Sequence, residues 1–293
     1  MIRSIISLMR PHQWVKNTFV FLPLFFGGQL LDALCWREAI LTFIAFSFIA
    51  SAVYCLNDLR DLEADRLHPK KCKRPIASGK IRPVNAVILM IVLVLSSLAI
   101  SYFTHGSSNV KVSLILLFYF CLNILYCIKL KQYAIIDVFI VSFGFVLRLL
   151  AGGVACSIWL SPWIVLMTFL IALFLAFAKR RDDVVLYENN RIKVRKNVIR
   201  YNLSFMNQTL GLIGAITIVC YIMYSVSPEV ELRFDNRYVY VTSVFVLAAI
   251  LRYLQVSIVD QRSGSPTKVL LRDRFIQMCL LLWFASFVII LYL

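Results

Sequence analysis

Residues 36–57 read WREAILTFIAFSFIASAVYCLN, and residues 57–79 continue as NDLRDLEADRLHPKKCKRPIASG. The first stretch is an apolar run of about the 20 residues that cross a bilayer core. The second is dense in charge. A helix that leaves a membrane changes texture in this way. The same apolar texture recurs along the chain, giving candidate spans at 17–34, 36–57, 83–104, 110–128, 135–155, 161–178, 206–226, 237–257 and 275–293. The expected fold is therefore all-α, a polytopic integral membrane bundle of nine transmembrane helices. Pro23 and the Gly27-Gly28 pair interrupt the first span and predict a kink there. Composition agrees. Hydrophobic residues make up 61% of the 293 and charged residues 16%, against roughly half and a quarter in soluble chains. That excludes water-soluble single-domain folds, and with them disordered, collagenous and coiled-coil classes.

The chain holds 31 Lys+Arg against 15 Asp+Glu, a net charge of +16. In a soluble protein this would point to nucleic acid. Here most cations sit in short segments between apolar runs, so no nucleic-acid partner is expected. They mark either topology or a pocket for an anionic substrate. With the N-terminus in the cytoplasm, segments 1–16, 58–82, 129–134, 179–205 and 252–274 carry 26 of them. The opposite side carries four, Arg37, Lys111, Arg233 and Arg237, and Arg148 lies within a span. This bias places the N-terminus inside. The opening MIRSIISLMR has the pattern of a short amphipathic interfacial helix, with no cleavable signal peptide. The eight cysteines form no CxxC pair and read as small reduced hydrophobes, not a disulfide or zinc framework.

The chemistry concentrates after residue 57. On a helix continued from the second span, Asp58, Asp61 and Asp65 fall at i, i+3 and i+7. At 100° per residue they cover an arc of about 60°, with Glu63 pointing away. Three carboxylates on one face repel each other unless a hard cation neutralises them. Mg²⁺ takes one or two carboxylates and completes its shell with water and substrate phosphates. The basic run Lys70, Lys71, Lys73 and Arg74 follows immediately. Metal-binding carboxylates beside phosphate-binding cations describe a Mg²⁺–diphosphate site. The competing reading is a solvated loop whose acids merely neutralise its bases.

NDLRDLEADRLHPKKCKRPIASGKI resembles the first aspartate-rich motif of the UbiA superfamily of intramembrane prenyltransferases, NDxxDxxxD followed by RPxxxG. That resemblance implies nine transmembrane helices in a single UbiA-like domain over 1–293, with cytoplasmic active-site loops at about 58–82 and 179–205. Asn57 joins Asp58, Asp61 and Asp65 as an expected metal-site residue. Pro11-His12-Gln13-Trp14-Val15-Lys16-Asn17 is similar to the PxQWxKN opening of the decaprenyl-phosphate phosphoribosyltransferase branch. So are His68-Pro69-x-Lys71, Leu130-Lys131, Asp137 and the Gly144-Phe145-Val146-Leu147-Arg148…Gly152 segment.

Typical aromatic prenyltransferases of the superfamily carry a second DxxxD. This chain instead has Lys179-Arg180-Arg181-Asp182-Asp183-Val184, which looks like the KRxxE/D motif of the phosphoribosyltransferase branch with Asp183 in the acidic place. Lys179 and Asp183 share a helical face. One carboxylate with several cations suits a phosphate-rich donor better than a second metal. The alternative is a topology signal only. Gln13, Lys16 and Asn17 open the first span, where a lone Lys is commonly a snorkelling anchor. Asp137 and Arg148 lie eleven positions apart, on one side of a helix but about 16 Å apart along it, too far to pair. His12, His68 and His105 suggest no metal cluster; Tyr126, Tyr187 and Tyr201 are belt or cavity residues.

The resemblance implies a multi-pass enzyme of a bacterial inner membrane, acting in cell-envelope synthesis. It would use Mg²⁺ to transfer 5-phosphoribosyl from phosphoribosyl diphosphate (PRPP) to a polyprenyl phosphate, releasing diphosphate. Asp58, Asp61 and Asp65 are the expected catalytic residues. Gln13, Lys16, Asn17, Asn57, Lys70, Lys71, Lys73, Arg74, Lys131, Arg148, Lys179, Arg180 and Asp183 are the expected substrate contacts. The alternatives are a prenyltransferase with a prenyl diphosphate donor, and a non-enzymatic transporter or lipid-binding scaffold.

Overall fold

A computed structural model describes residues 2–67, 71–104, 108–190, 198–228, 230–231, 237–261 and 266–292. The α-helices are α1 (Ile2–Met9), α2 (Leu22–Phe26), α3 (Ala33–Arg60), α4 (Leu62–Arg66), α5 (Pro83–Tyr102), α6 (Ser108–Ile128) and α7 (Ile136–Ala155). They continue as α8 (Pro162–Asn190), α9 (Leu203–Ser225), α10 (Ser243–Ile258), α11 (Pro266–Arg272) and α12 (Arg274–Tyr292). No strand occurs among the described residues. Seven helical segments among them are long and apolar enough to cross a membrane, and the apolar helix at Arg274–Ile290 is shorter. The backbone divides into two compact units, residues 1–131 with 143–160, and residues 132–142 with 161–293.

In the first unit α3 is central. Asp32 caps it, accepting from the Leu34 N–H at 2.8 Å. That bond holds the Asp32 carboxyl below its ordinary pKa. Ala39, Ala45, Ser47, Ala50, Ser51 and Ala52 are buried along α3. Small side chains let helix backbones approach closely, which is how helices associate where lipid offers no hydrophobic drive. The α5 helix does so, and its Ser97 hydroxyl donates to the Ala45 carbonyl at 2.7 Å. Leu8 of α1 joins Ala52, Cys55, Ile76 and Ile81 in one apolar cluster, so α1 rests on the unit by a single stripe.

The expected first span, 17–34, is not one membrane helix. Residues Pro11–Phe21 form a 3₁₀ helix, α2 adds only five residues, and Gly28 turns the chain with φ 70°. A 3₁₀ run of this length is uncommon. Side chains impose it: Trp14 Nε1 donates to the Ser51 hydroxyl at 3.0 Å, and Asn17 Nδ2 donates to Ser47 at 2.9 Å. The Val20 backbone lies so close to Gly152 that a Cβ there would overlap its carbonyl oxygen.

In the second unit Phe174, Phe177, Met206, Leu210, Tyr253 and Val256 form the core, with Phe174 edge-on to Tyr253 at 5.3 Å between centroids. Here too the sequence reading needs correction at one boundary. The sixth span was expected to end at 178, but α8 continues to Asn190, so Lys179–Asp183 are helical and not loop. Asp273 opens α12 by accepting from the Ile276 N–H at 3.0 Å, and it pairs with Arg252 at 2.9 Å. Burial works against the Asp273 carboxylate, but these donors hold its pKa below the ordinary value.

Candidate active site

Helix α3 ends where its charge begins. Asp58 lies in its last turn with 2% of its surface exposed. At Asp61 the backbone leaves helical geometry, and its N–H closes the helix onto the Asn57 carbonyl at 2.9 Å. The short α4 then starts anew and carries Asp65, which is also buried. The three aspartates therefore do not lie on one continuous helix.

Asp58 and Asp65 nevertheless converge. Arg74 Nη1 donates to Asp58 Oδ1 at 3.0 Å and to Asp65 Oδ2 at 2.5 Å. Arg10 Nη2 donates to Asp58 Oδ1 at 2.5 Å, with its guanidinium carbon 5.0 Å from the Tyr54 ring centre. Asp58 Oδ2 is buried with no hydrogen-bond partner. Asp61 takes another direction and accepts from Lys131 Nζ at 2.5 Å. Asn57 accepts from the Cys127 thiol at 3.7 Å.

The Arg-Pro…Gly segment explains how Arg74 arrives there. The Arg74 N–H bonds the Lys71 carbonyl, Ser78 N–H bonds the Arg74 carbonyl, and Ile81 N–H bonds the Pro75 carbonyl. Gly79 has φ 74°, a left-handed conformation that glycine adopts without steric cost. Ile76 is buried and anchors the turn. Lys73 is exposed and Lys71 half-buried on the preceding 3₁₀ turn. Lys70, His68 and Pro69 lie outside the described residues, as does His105.

Sequence reasoning missed Arg10. It lies next to the Pro11–Asn17 motif, but nothing in its spacing links it to Asp58. Its backbone supplies a mark visible only in three dimensions: φ 55° at a non-glycine residue. Such conformations persist where surrounding contacts over-determine them, often at functional sites.

Asn17 belongs to a separate polar cluster. Asn17 Oδ1 accepts from Arg148 Nε at 2.7 Å. Arg148 also donates to the Gly144 carbonyl at 2.6 Å and the Tyr119 hydroxyl at 3.1 Å. Its guanidinium carbon lies 4.8 Å from the Phe46 ring centre and 5.0 Å from that of Tyr119. Gln13 and Lys16 are half-buried on the 3₁₀ helix.

The second unit has its own polar cluster. Arg180 Nε donates to Asp137 Oδ2 at 2.7 Å, and its Nη1 donates to Asp183 Oδ2 at 2.6 Å. Asp137 is fully buried, and its Oδ1 has no hydrogen-bond partner. Arg181 is buried too; it donates to Asn207 at 2.7 Å and to the Ser257 carbonyl at 2.6 Å. Lys179 is exposed. Tyr201 accepts from the Ile135 N–H at 2.5 Å, and burial pushes its hydroxyl pKa above the ordinary value against that bond.

A buried ion-pair cluster at the end of a long apolar helix, in a chain with seven helical segments able to cross a membrane among the described residues, marks the class of polytopic membrane proteins. Comparison with known proteins supplies the family. Residues 20–283 match the UbiA prenyltransferase family, and the chain belongs to it. The chain is 33% identical to the decaprenyl-phosphate phosphoribosyltransferase of Mycolicibacterium smegmatis, over 98% of this chain and 92% of that protein. It is 32% identical to the enzyme of the same name from Corynebacterium glutamicum, over 99% and 87%. Among solved structures it resembles a UbiA homolog from Archaeoglobus fulgidus bound to DMAPP and Mg²⁺, with TM-score 0.71, 19% identity, and 98% and 99% of the two chains covered. The protein is thus an all-α, multi-pass integral membrane transferase.

Proposed function

We propose that this transferase moves a 5-phosphoribosyl group from PRPP to a polyprenyl phosphate and releases diphosphate. The observation that carries the donor assignment is the second cluster. Where diphosphate-prenyl members have a second acidic motif, this chain commits its one matching acid, Asp183, to Arg180, which also holds Asp137. An acid already neutralised by a guanidinium is poorly placed to serve as a second metal carboxylate, which favours a donor that needs only the first acidic cluster. The names of the near-full-length relatives point the same way.

The residues present fit a divalent cation. Among the described residues no three acidic, histidine or cysteine side chains are grouped closely enough to hold a metal. Mg²⁺, however, is characteristically bound through one or two carboxylates plus substrate phosphates. Asp58 and Asp65 already converge on one positive atom, and Asp58 keeps an unpartnered oxygen. These two would hold the ion, with Asp61 and Asn57 beside them. When bound, Mg²⁺ supplies neutralisation of the leaving diphosphate.

The chain's own groups do the rest. Arg74 and Arg10 fix the Asp58 carboxylate, so that it meets substrate already oriented. Arg74, Lys71, Lys73 and, by sequence, Lys70 provide charge-assisted donors for phosphate oxygens. Lys131 holds Asp61, and Lys179 offers an exposed ammonium. The acceptor phosphate is already an anion, so no strong general base is required. Its oxygen attacks the anomeric carbon, the bond from that carbon to diphosphate breaks, and the configuration inverts from α to β.

The test is a direct competition. The purified chain in detergent is given labelled PRPP or a labelled prenyl diphosphate, each with and without decaprenyl phosphate or an aromatic acceptor. Lipid-linked phosphoribose and diphosphate formed only from PRPP with lipid acceptor are expected. Turnover of the prenyl diphosphate alone would overturn the donor assignment; turnover of neither, in an inserted and folded chain, would overturn the enzymatic reading.

A further inference from the structure

One pair of thiols lies across two helices. Cys35 and Cys156, 121 residues apart in sequence, meet within the first unit. The Cys156 sulfur lies 3.4 Å from the Cys35 carbonyl oxygen, and the Cys35 sulfur lies 4.0 Å from the Cys156 carbonyl oxygen. Each side chain thus reaches across to the other's backbone. A disulfide requires Cα atoms only about 4.4–6.8 Å apart with side chains directed at one another. Both backbones are held in place. Cys35 lies in the first turn of α3, beside the Asp32 cap. Cys156 follows α7 directly, and its N–H bonds the Gly152 carbonyl at 3.1 Å while Ile158 N–H bonds that of Gly153 at 2.8 Å. Cys35 is buried with Leu24 and Ala39, whereas Cys156 is partly exposed and gives a reagent its way in.

The compartment is the second strand of the argument. Cys35 lies 23 residues before Asp58 on one continuous helix, about 35 Å along its axis. It is therefore at the membrane face away from the acidic cluster. The 26-to-4 distribution of cations puts that face outside the cytoplasm. Disulfides form and persist outside the cytoplasm and are rare within it.

We propose that Cys35 and Cys156 form a structural disulfide at the non-cytoplasmic face, tying the start of α3 to the end of α7. The oxidant is a disulfide of the thiol–disulfide exchange class. The Cys156 thiolate attacks one of its sulfurs and expels a thiol; the Cys35 thiolate then displaces the second. One protein S–S bond forms, the oxidant's S–S bond breaks, and both protons and both electrons of the two cysteines leave with the reduced dithiol. This inference rests on the topology and the thiol contact, and does not depend on the donor or the acceptor.

The test is thiol trapping. In a chain with Cys55, Cys72, Cys121, Cys127, Cys220 and Cys279 replaced by Ala, cells are quenched in acid and the denatured protein is treated with maleimide-polyethylene glycol. No adduct before reduction and two after it are expected. Adding Cys35→Ser should leave Cys156 reactive before reduction. Two adducts on the unreduced two-cysteine chain would overturn the proposal, as would continued protection of Cys156 when Cys35 is absent. Because six replacements could impair folding, the unaltered chain is also digested without reduction and read by mass spectrometry. A linked peptide pair containing Cys35 and Cys156 supports the bridge; both peptides recovered only as free thiols refute it.

Discussion

Asp58→Asn separates the catalytic reading of the acidic cluster from a purely structural one. The substitution removes one charge and keeps an acceptor oxygen in nearly the same volume. Asp58 Oδ1 takes two guanidinium donors, Arg10 at 2.5 Å and Arg74 at 3.0 Å. A hydrogen bond to a charged group contributes about 1.5–3 kcal/mol and a neutral one about 0.5–1.5 kcal/mol. Two weakened bonds therefore cost roughly 2–3 kcal/mol of stability, partly relieved because Arg74 keeps Asp65. Proteins generally have about 5–15 kcal/mol to lose, so the variant stays folded. If Asp58 is a metal carboxylate, the loss of its charge falls on the transition state. A rate loss of about 10³-fold or more is then expected, roughly 4 kcal/mol. The assay is diphosphate release from PRPP with decaprenyl phosphate in detergent, across a Mg²⁺ titration, beside the unfolding temperature of the same preparation. Turnover within tenfold of the parent at saturating Mg²⁺, with the unfolding temperature lowered, would show that Asp58 only ties Arg10 and Arg74 together, and the site assignment would fall.

Three further outcomes follow from particular residues. Lys179→Ala removes an exposed cation from the KRxxD motif and should lower kcat or raise the KM for PRPP or the lipid phosphate by roughly 10- to 100-fold, the equivalent of one charge-assisted contact; unchanged constants at matched insertion would make Lys179 a topology signal only. Gly152→Ala drives a Cβ into the Val20 carbonyl and should destabilise by about 1–3 kcal/mol, as overpacking does, read as a lower unfolding temperature. Single cysteines placed at Ser78 and Asn190 in a background without native thiols should label only from the cytoplasmic side, and labelling of either from outside would overturn the assigned orientation.

The helical class was legible because lipid imposes one simple constraint, runs of about 20 apolar residues. The limits of α5, α6, α7 and α9 fall within three residues of those read from hydropathy. What failed has a common cause. Residues 17–34 were read as a span from their apolar run, but the conformation from Pro11 to Phe26 is set by Ser47, Ser51 and Gly152, residues far away in sequence. The end of the sixth span was placed where charge begins, yet Arg180 and Arg181 remain buried on α8 because Asp137, Asn207 and the Ser257 carbonyl receive them. Hydropathy records side-chain type and is blind to partners. At the acidic cluster Asp58 and Asp65 do come together, but the one-face geometry assumed a helix that Asp61 interrupts. Two aspartates meet through Arg74, brought back by a turn whose only sequence marks are Pro75 and Gly79.

The basic excess had two competing explanations, topology and substrate, and its arginines and lysines sit differently in the structure. Arg10, Arg74, Arg148, Arg180 and Arg181 are the cations that reach inward, each making two or more directed contacts or stacking on an aromatic ring. Guanidinium suits this because its planar fork donates in several directions and it is less strongly hydrated than an ammonium. The lysines at the motifs differ. Lys73 and Lys179 stay exposed, where a compact, flexible charge can meet a phosphate arriving from solvent. Lys131 pairs with Asp61. Arg10, Arg74 and Arg180 hold carboxylates, whereas Arg148 and Arg181 bind amide, hydroxyl and carbonyl oxygens. Replacing Arg74 by Lys preserves the charge but not the fork, and one ammonium on a flexible stem is a poorer bridge between Asp58 and Asp65. If charge alone mattered at this position, Arg74→Lys would keep full turnover; the shared contact requires that it lose most of it while exposed Lys73→Arg does not.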